Sequence, residues 1–224
     1  VFTEKVNLQS SANLLIEGLL DYDESRRPDH VLLLFAPHPK LGGDMENNVL
    51  RGLARDLPPE GICTLRFNYR GVGNSERPDP DVAAYDYWER LDESNDYHDI
   101  LADGIDILRY AEKFAPGARV SMLGYSFGAK IIEGVCRTVQ PQAVIAIAAP
   151  LNRDDFRGLA ELPCRKLFLW GNEDFATTPE QVRAFTDIAL APKDIVVIPG
   201  QDHFFREYEP QLALQVRDFM RRHD

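Results

Sequence analysis

Ser126 is the residue whose neighbours best suit it for chemistry. It sits in Gly124-Tyr125-Ser126-Phe127-Gly128, after an apolar run at residues 120–123 and before Ala129, Ile132 and Cys136 at helical spacing. A serine on a sharp strand-to-helix turn exposes its Oγ. Bulky residues two positions to either side would strike neighbouring backbone, and Gly124 and Gly128 remove that collision. A serine hydroxyl is a weak nucleophile at neutral pH and needs a base. His203, in Gly200-Gln201-Asp202-His203-Phe204-Phe205, directly follows an apolar strand pattern at residues 194–198. Asp174, in Gly171-Asn172-Glu173-Asp174, follows another at residues 166–170. A carboxylate there can accept the second ring N–H of the histidine, fix its tautomer and stabilise the imidazolium. Glu173, Asp154 and Asp155 are alternative sources of that carboxylate. Nucleophile, base and orienting acid together point to acyl transfer.

Acyl transfer builds negative charge on a carbonyl oxygen, which calls for two backbone N–H donors. One is expected from Phe127, the residue after the nucleophile. The other is expected from the loop that follows the strand pattern at residues 30–36. Pro37 and Pro39 carry no N–H, which leaves Lys40 or, second, Leu41, with Gly42-Gly43 letting the loop fold close. His38 is expected to hold this loop in shape or to line the substrate pocket. Tyr85, Tyr87 and Trp88 would join the pocket if residues 76–96 fold over the site.

These residues need a scaffold. Residues 5–9 and 13–20 read as two strands of an antiparallel hairpin with a polar turn at Ser10-Ser11-Ala12. Strands follow at residues 30–36, 62–69, 119–123, 143–149, 166–170 and 194–198. Helices are expected after Asp44 as N-cap, over 97–114, after the elbow, over 179–190 and over 209–222. Strands alternating with helices of this length form βαβ units, hence a mostly parallel sheet of about eight strands with helices on both faces. No composition shift marks a second unit, so residues 1–224 read as one three-layer α/β domain with 76–96 as a small insertion over the site. In such sheets function gathers at the carboxyl ends of the strands, where Ser126, Asp174 and His203 all fall. The link after residues 143–149 is too short for a large cap.

Composition narrows the partners. The chain has 224 residues and a formal net charge of -11, which argues against nucleic acid and anionic membranes. Three scattered cysteines make neither a disulfide framework nor a zinc site and suit a reducing compartment. No apolar run approaches the roughly 18–20 residues of a membrane span. The expected location is the cytoplasm, although a first residue of valine leaves room for a trimmed leader. Gly71-Val72-Gly73 is no dinucleotide fingerprint, since Glu76 stands where a third glycine is required. Gly128-Ala129-Lys130 is not a phosphate loop, and the histidines lack paired-ligand spacing. Neither a metal nor a cofactor is expected.

Taken together, the motifs resemble the α/β-hydrolase superfamily over nearly the whole chain. They are most similar to small bacterial hydrolases near the dienelactone-hydrolase-like group. The resemblance rests on Pro37-His38-Pro39 with Gly42-Gly43, on Phe67-Asn68-Tyr69-Arg70-Gly71-Val72-Gly73-Asn74-Ser75, on Gly124–Gly128 and on Asp202-His203-Phe204-Phe205. Ala36 departs from the histidine that opens the family's oxyanion loop. The chain order Ser, Asp, His is the one this superfamily uses. The resemblance implies Ser126 as nucleophile, Asp174 as acid and His203 as base, in a lidless, cofactor-free serine hydrolase. The expected reaction is cleavage of carboxylic esters of small or medium acyl compounds. A thioesterase, amidase or peptidase would use the same residues, and a non-catalytic binding protein could keep the same fold.

Overall fold

The computed structural model describes residues 1–222. Eight strands form one sheet: β1 (Phe2–Gln9), β2 (Leu15–Tyr22), β3 (His30–Phe35), β4 (Ile62–Phe67), β5 (Arg119–Tyr125), β6 (Ala143–Ile147), β7 (Arg165–Gly171) and β8 (Lys193–Ile198). Their order is β1-β2-β4-β3-β5-β6-β7-β8. β1 and β2 pair antiparallel, β2 joins β4 antiparallel, and every later pairing is parallel. The burial along each strand explains its place. β3, β4 and β6 are buried at every position, as expected of strands covered on both faces. β1 buries only Val6 and Leu8, and it lies at the edge.

Among the described residues seven α-helices cover the sheet: α1 (Asn48–Asp56), α2 (Ala84–Ser94), α3 (His98–Phe114), α4 (Phe127–Val135), α5 (Arg157–Ala160), α6 (Pro179–Ile188) and α7 (Glu209–Arg221). α1 packs on α7, and α3 packs on α4. Gly104 of α3 lies so close to Phe35 and Val135 that any Cβ would stand 2.8 Å from the valine methyl. Cys63 and Cys136 are buried in these apolar contacts as small hydrophobes.

Local chemistry moved several boundaries. Asn13 adopts a left-handed φ of 62°, so the hairpin loop runs on and β2 begins at Leu15 instead of residue 13. The N-cap of α1 is Asn47, whose side chain accepts the Val49 N–H at 3.0 Å; Asp44 instead closes a turn onto the Glu46 N–H. Met45 therefore lies outside the helix. Residues 76–96, unassigned from sequence because of their prolines and acids, contain the three-turn helix α2.

Candidate active site

Ser126 caps α4 at φ 53° and ψ −115°, a region L-residues adopt only when the surrounding structure forces it. Its N–H donates to Ile147 O at 2.8 Å, tying the turn to β6. The two glycines act by close approach. A Cβ on Gly124 would lie 2.4 Å from the Gly128 carbonyl group, and one on Gly128 would lie 2.2 Å from Phe35 O.

Sheet order brings the partners together. β5, β6, β7 and β8 are consecutive neighbours, so the loops at their carboxyl ends meet. The Ser126 hydroxyl donates to His203 Nε2 at 3.0 Å. His203 Nδ1–H donates to Asp174, 2.9 Å from each carboxylate oxygen. The Asp174 side chain is fully shielded from solvent, and its Oδ1 also accepts the Ala176 N–H at 2.7 Å. Tyr125 O–H holds the His203 carbonyl at 2.8 Å, while Phe175 and Phe204 flank the imidazole. The rival carboxylates are engaged elsewhere. Asp154 binds the Lys130 ammonium at 3.1 Å, and Asp155 caps the Arg157 N–H at 3.0 Å. Glu173 makes no bond to His203.

Phe127 is the first residue of α4, where N–H groups have no intrahelical acceptor. The second donor expected from sequence is corrected. The Lys40 N–H donates to His38 Nδ1 at 3.2 Å, and the Leu41 N–H donates to His38 O at 3.0 Å. Both are used up because residues 39–41 form a 3-10 turn capped by His38. The His38 N–H donates to no group among the described residues, and it becomes the loop's available donor. Striking out the two prolines passed over the histidine between them.

A cleft of about 300 Å³ opens over Ser126, with His38, Leu41, Tyr97, Phe127, Arg153, Phe175 and His203 in its wall. Of the four pocket candidates only His38 is there. Trp88 is buried behind the site with its indole N–H on Arg70 O at 3.1 Å, packed edge-on against Phe127 and His38. Tyr87 packs against Trp88. Tyr85 is exposed on the outer side of α2, with the Lys40 ammonium 4.9 Å from its ring centre. The α2 segment thus braces the site from the side and does not roof it. Tyr97, Arg153 and Phe175 were not singled out from sequence. Phe175 had one available signal, its adjacency to Asp174.

His38 is fastened at both ring nitrogens. Since Nδ1 accepts from Lys40, Nε2 carries the proton and donates to Asp92 Oδ1 at 2.9 Å. Burial holds its pKa below the usual histidine value, against the pull of Asp92. Burial alone would raise the Asp92 pKa, but hydrogen bonds from His38, Lys40 and Tyr97 outweigh it and leave the carboxyl below its usual range. Among the described residues no cluster of His, Cys, Asp and Glu could hold a metal ion, and no helix is long and apolar enough to cross a membrane. A larger cavity of about 560 Å³ between the β1 edge and α1 contains Arg51, Arg55 and Arg66. Their guanidiniums already pair with Glu46, Asp56 and Asp21.

No protein-family model matches the chain. A curated relative, an uncharacterised protein of Rickettsia prowazekii, is 28% identical over 200 residues, covering 85% of this chain and 78% of the relative. An α/β serine hydrolase homologue from Coxiella burnetii superposes with a TM-score of 0.78 at 28% identity, covering 97% of both chains. A serine hydrolase without a lid from Xanthomonas campestris superposes at 0.79 with 22% identity, over 98% of this chain and 94% of its own. With the strand order, the strained serine turn and these likenesses in agreement, the chain has the α/β-hydrolase fold and is similar to the serine hydrolase homologues built on it.

Proposed function

We propose that this hydrolase is a serine esterase acting on carboxylic esters of small or medium acyl compounds. The observation that carries the reading is the continuous line Ser126 Oγ, His203 Nε2, His203 Nδ1, Asp174, with contacts of 3.0 and 2.9 Å. In the proposed reaction His203 removes the Ser126 proton as Oγ attacks the ester carbonyl. The developing oxyanion accepts from the Phe127 and His38 N–H groups. Asp174 stabilises the imidazolium. The imidazolium then protonates the departing alcohol, and the acyl group stays on Ser126. Water then attacks the acyl carbonyl, giving its proton to His203, and His203 returns that proton to Ser126 Oγ as the Oγ–acyl bond breaks and the acid leaves. None of these steps calls on a cofactor. A cleft of about 300 Å³, partly walled by aromatic rings, suits a modest acyl group.

The test is covalent labelling with a fluorophosphonate, together with hydrolysis of p-nitrophenyl esters by the wild type and Ser126→Ala. Labelling at Ser126 and at least a 1,000-fold drop in kcat for the variant, on the order set by loss of a triad member, are expected. A wild type that folds yet neither labels nor turns over any ester would make the fold a non-catalytic binding scaffold. Matched thioester and anilide substrates separate the sister activities that share this machinery.

A further inference from the structure

The loop that carries the His38 N–H is short, and its backbone hydrogen bonds run within the loop and not to other elements. Pro37 and Pro39 supply no N–H, and among the described residues the His38 carbonyl is held only by the N–H groups of Leu41 and Gly43, from within the same loop. An oxyanion donor is effective only when it is held in place before the charge forms, within about 2.7–3.1 Å of where the oxygen will sit. The orientation of the His38 peptide therefore depends on what fixes its side chain. That ring rests on the Phe127 ring, with centroids 4.5 Å apart, so the residues carrying both proposed donors are in contact. Its Nδ1 is closed by the Lys40 N–H, which is internal to the loop. Beyond the ring contacts with Phe127 and Trp88, its one hydrogen bond to another element among the described residues is to Asp92 of α2.

Asp92 is itself over-determined. Oδ1 accepts from His38 at 2.9 Å and from Tyr97 O–H at 2.9 Å, while Oδ2 faces the Lys40 ammonium at 3.1 Å. Lys40 reaches Glu89 one turn earlier on α2 as well. Three contacts from two directions make the carboxylate a rigid peg, and α2 is seated in turn by the buried Trp88. The protein thus contains two Asp–His pairs beside one cleft: Asp174–His203 on the serine, and Asp92–His38 on the oxyanion loop.

We infer that Asp92 is a positioning residue for the oxyanion loop, acting through the His38 ring to hold the His38 N–H toward the carbonyl oxygen of the reacting ester. This rests on the esterase reading above. Asp92 makes no contact with substrate; its effect is confined to the state in which negative charge has developed. It therefore lowers the barrier without strengthening ground-state binding. It also gives the segment at 84–97 a function, as a brace for the loop opposite the serine.

The experiment is a double-mutant cycle with Asp92→Ala and His38→Ala, both read as kcat and KM on a p-nitrophenyl ester at a temperature well below each variant's Tm. His38→Ala keeps the backbone N–H and loses only the ring. Each single variant is expected to lose about 10- to 100-fold in kcat, with KM within about threefold. The double variant should be no slower than the worse single one, since both remove the same brace. Affinity for a boronic acid, whose serine adduct carries the oxyanion, should fall in parallel with kcat. Asp92→Asn, which keeps an acceptor for the imidazole N–H, should recover part of the loss and serves if the alanine variant does not fold. Additive losses in the double variant, or kcat within twofold of wild type for both Asp92 variants, would overturn the inference while leaving the esterase reading intact. Failure of the wild type to hydrolyse esters would instead remove the reading on which it rests.

Discussion

Gly171 ends β7 three residues before Asp174, where the acid-bearing loop and the histidine-bearing loop touch. A Cβ there would stand 2.0 Å from Gln201 O, 2.5 Å from Gln201 C and 2.9 Å from Asp202 O. All three are backbone atoms, so no side chain can swing aside. Ordinary contact begins near 3.4 Å, and Gly171→Ala must therefore push the chain ahead of His203 outward by more than an ångström. That chain is clamped. The Glu173 N–H holds Gln201 O at 3.0 Å, the Gly200 N–H holds the Asn172 side chain at 2.7 Å, and Tyr125 holds the His203 carbonyl at 2.8 Å. His203 would lose its 3.0 Å approach to Ser126, or the clamp would break. Misplacement by about 1 Å costs roughly 100-fold in rate, and overpacking costs about 1–3 kcal/mol. Steady-state kinetics on a p-nitrophenyl ester and a thermal melt should show kcat down by roughly 100-fold and Tm down by about 2–4 °C per kcal/mol lost. Gly117→Ala is the control: it sits ahead of β5 at φ +86° with nothing within 4 Å of an added Cβ. It should cost about 1 kcal/mol of backbone strain and leave kcat within twofold. A Gly171→Ala enzyme that keeps kcat within threefold would refute the claim that this contact sets the position of His203.

Two further outcomes concern stability. Arg70 is 1% exposed, and its guanidinium meets Asp103 at 2.5 and 2.8 Å. Asp103→Ala leaves that charge buried without its main partner and should cost about 3–5 kcal/mol in urea denaturation; a loss below about 1 kcal/mol would mean water reaches the pair. Glu17 accepts the Asn74 N–H at 2.6 Å, the Asn74 amide at 2.8 Å and the Asn68 amide at 2.7 Å. Burial alone would raise its pKa, but these bonds and Lys5 prevail and hold it below the usual glutamate value. A depressed carboxylate contributes stability that is full above the unfolded pKa, near 4.3, and is lost as pH falls through the folded value. The Tm difference between wild type and Glu17→Gln should thus stay level above about pH 4.3 and shrink below it. A difference that grows in acid would reverse the sign of this linkage.

Much of the site was legible because its signals are local. Gly-Tyr-Ser-Phe-Gly after an apolar run encodes a turn whose strain and close contacts lie within a few residues of the serine. Asp174 and His203 were legible because each directly follows an apolar strand run, and parallel strands deliver their carboxyl ends to one edge. The hairpin turn at Asn13 and the cap at Asn47 were less so. Asn13 and Asp44 were both plausible in place, and the choice between neighbours depended on which backbone conformation the packed chain accepts.

By itself, then, the amino-acid sequence determined the order of the strands and of the helices other than α2, the strained serine turn and the residue types that follow β5, β7 and β8. Hydrophobic period and glycine placement act over a few residues and need no partner. Tertiary structure alone decided which groups near the serine are free to act. Lys40 and His38 both carry an N–H in one loop, and only folding revealed that the first is spent on the ring of the second. Tyr85, Tyr87 and Trp88 share a helix whose orientation is set by its contact with β-sheet loops far away in the chain, so their aromatic character could not say that Trp88 turns inward behind Phe127 while Tyr85 faces solvent. The pairing of Asp92 with His38 spans 54 residues, and no local pattern encodes a contact between two segments that meet only in the folded chain.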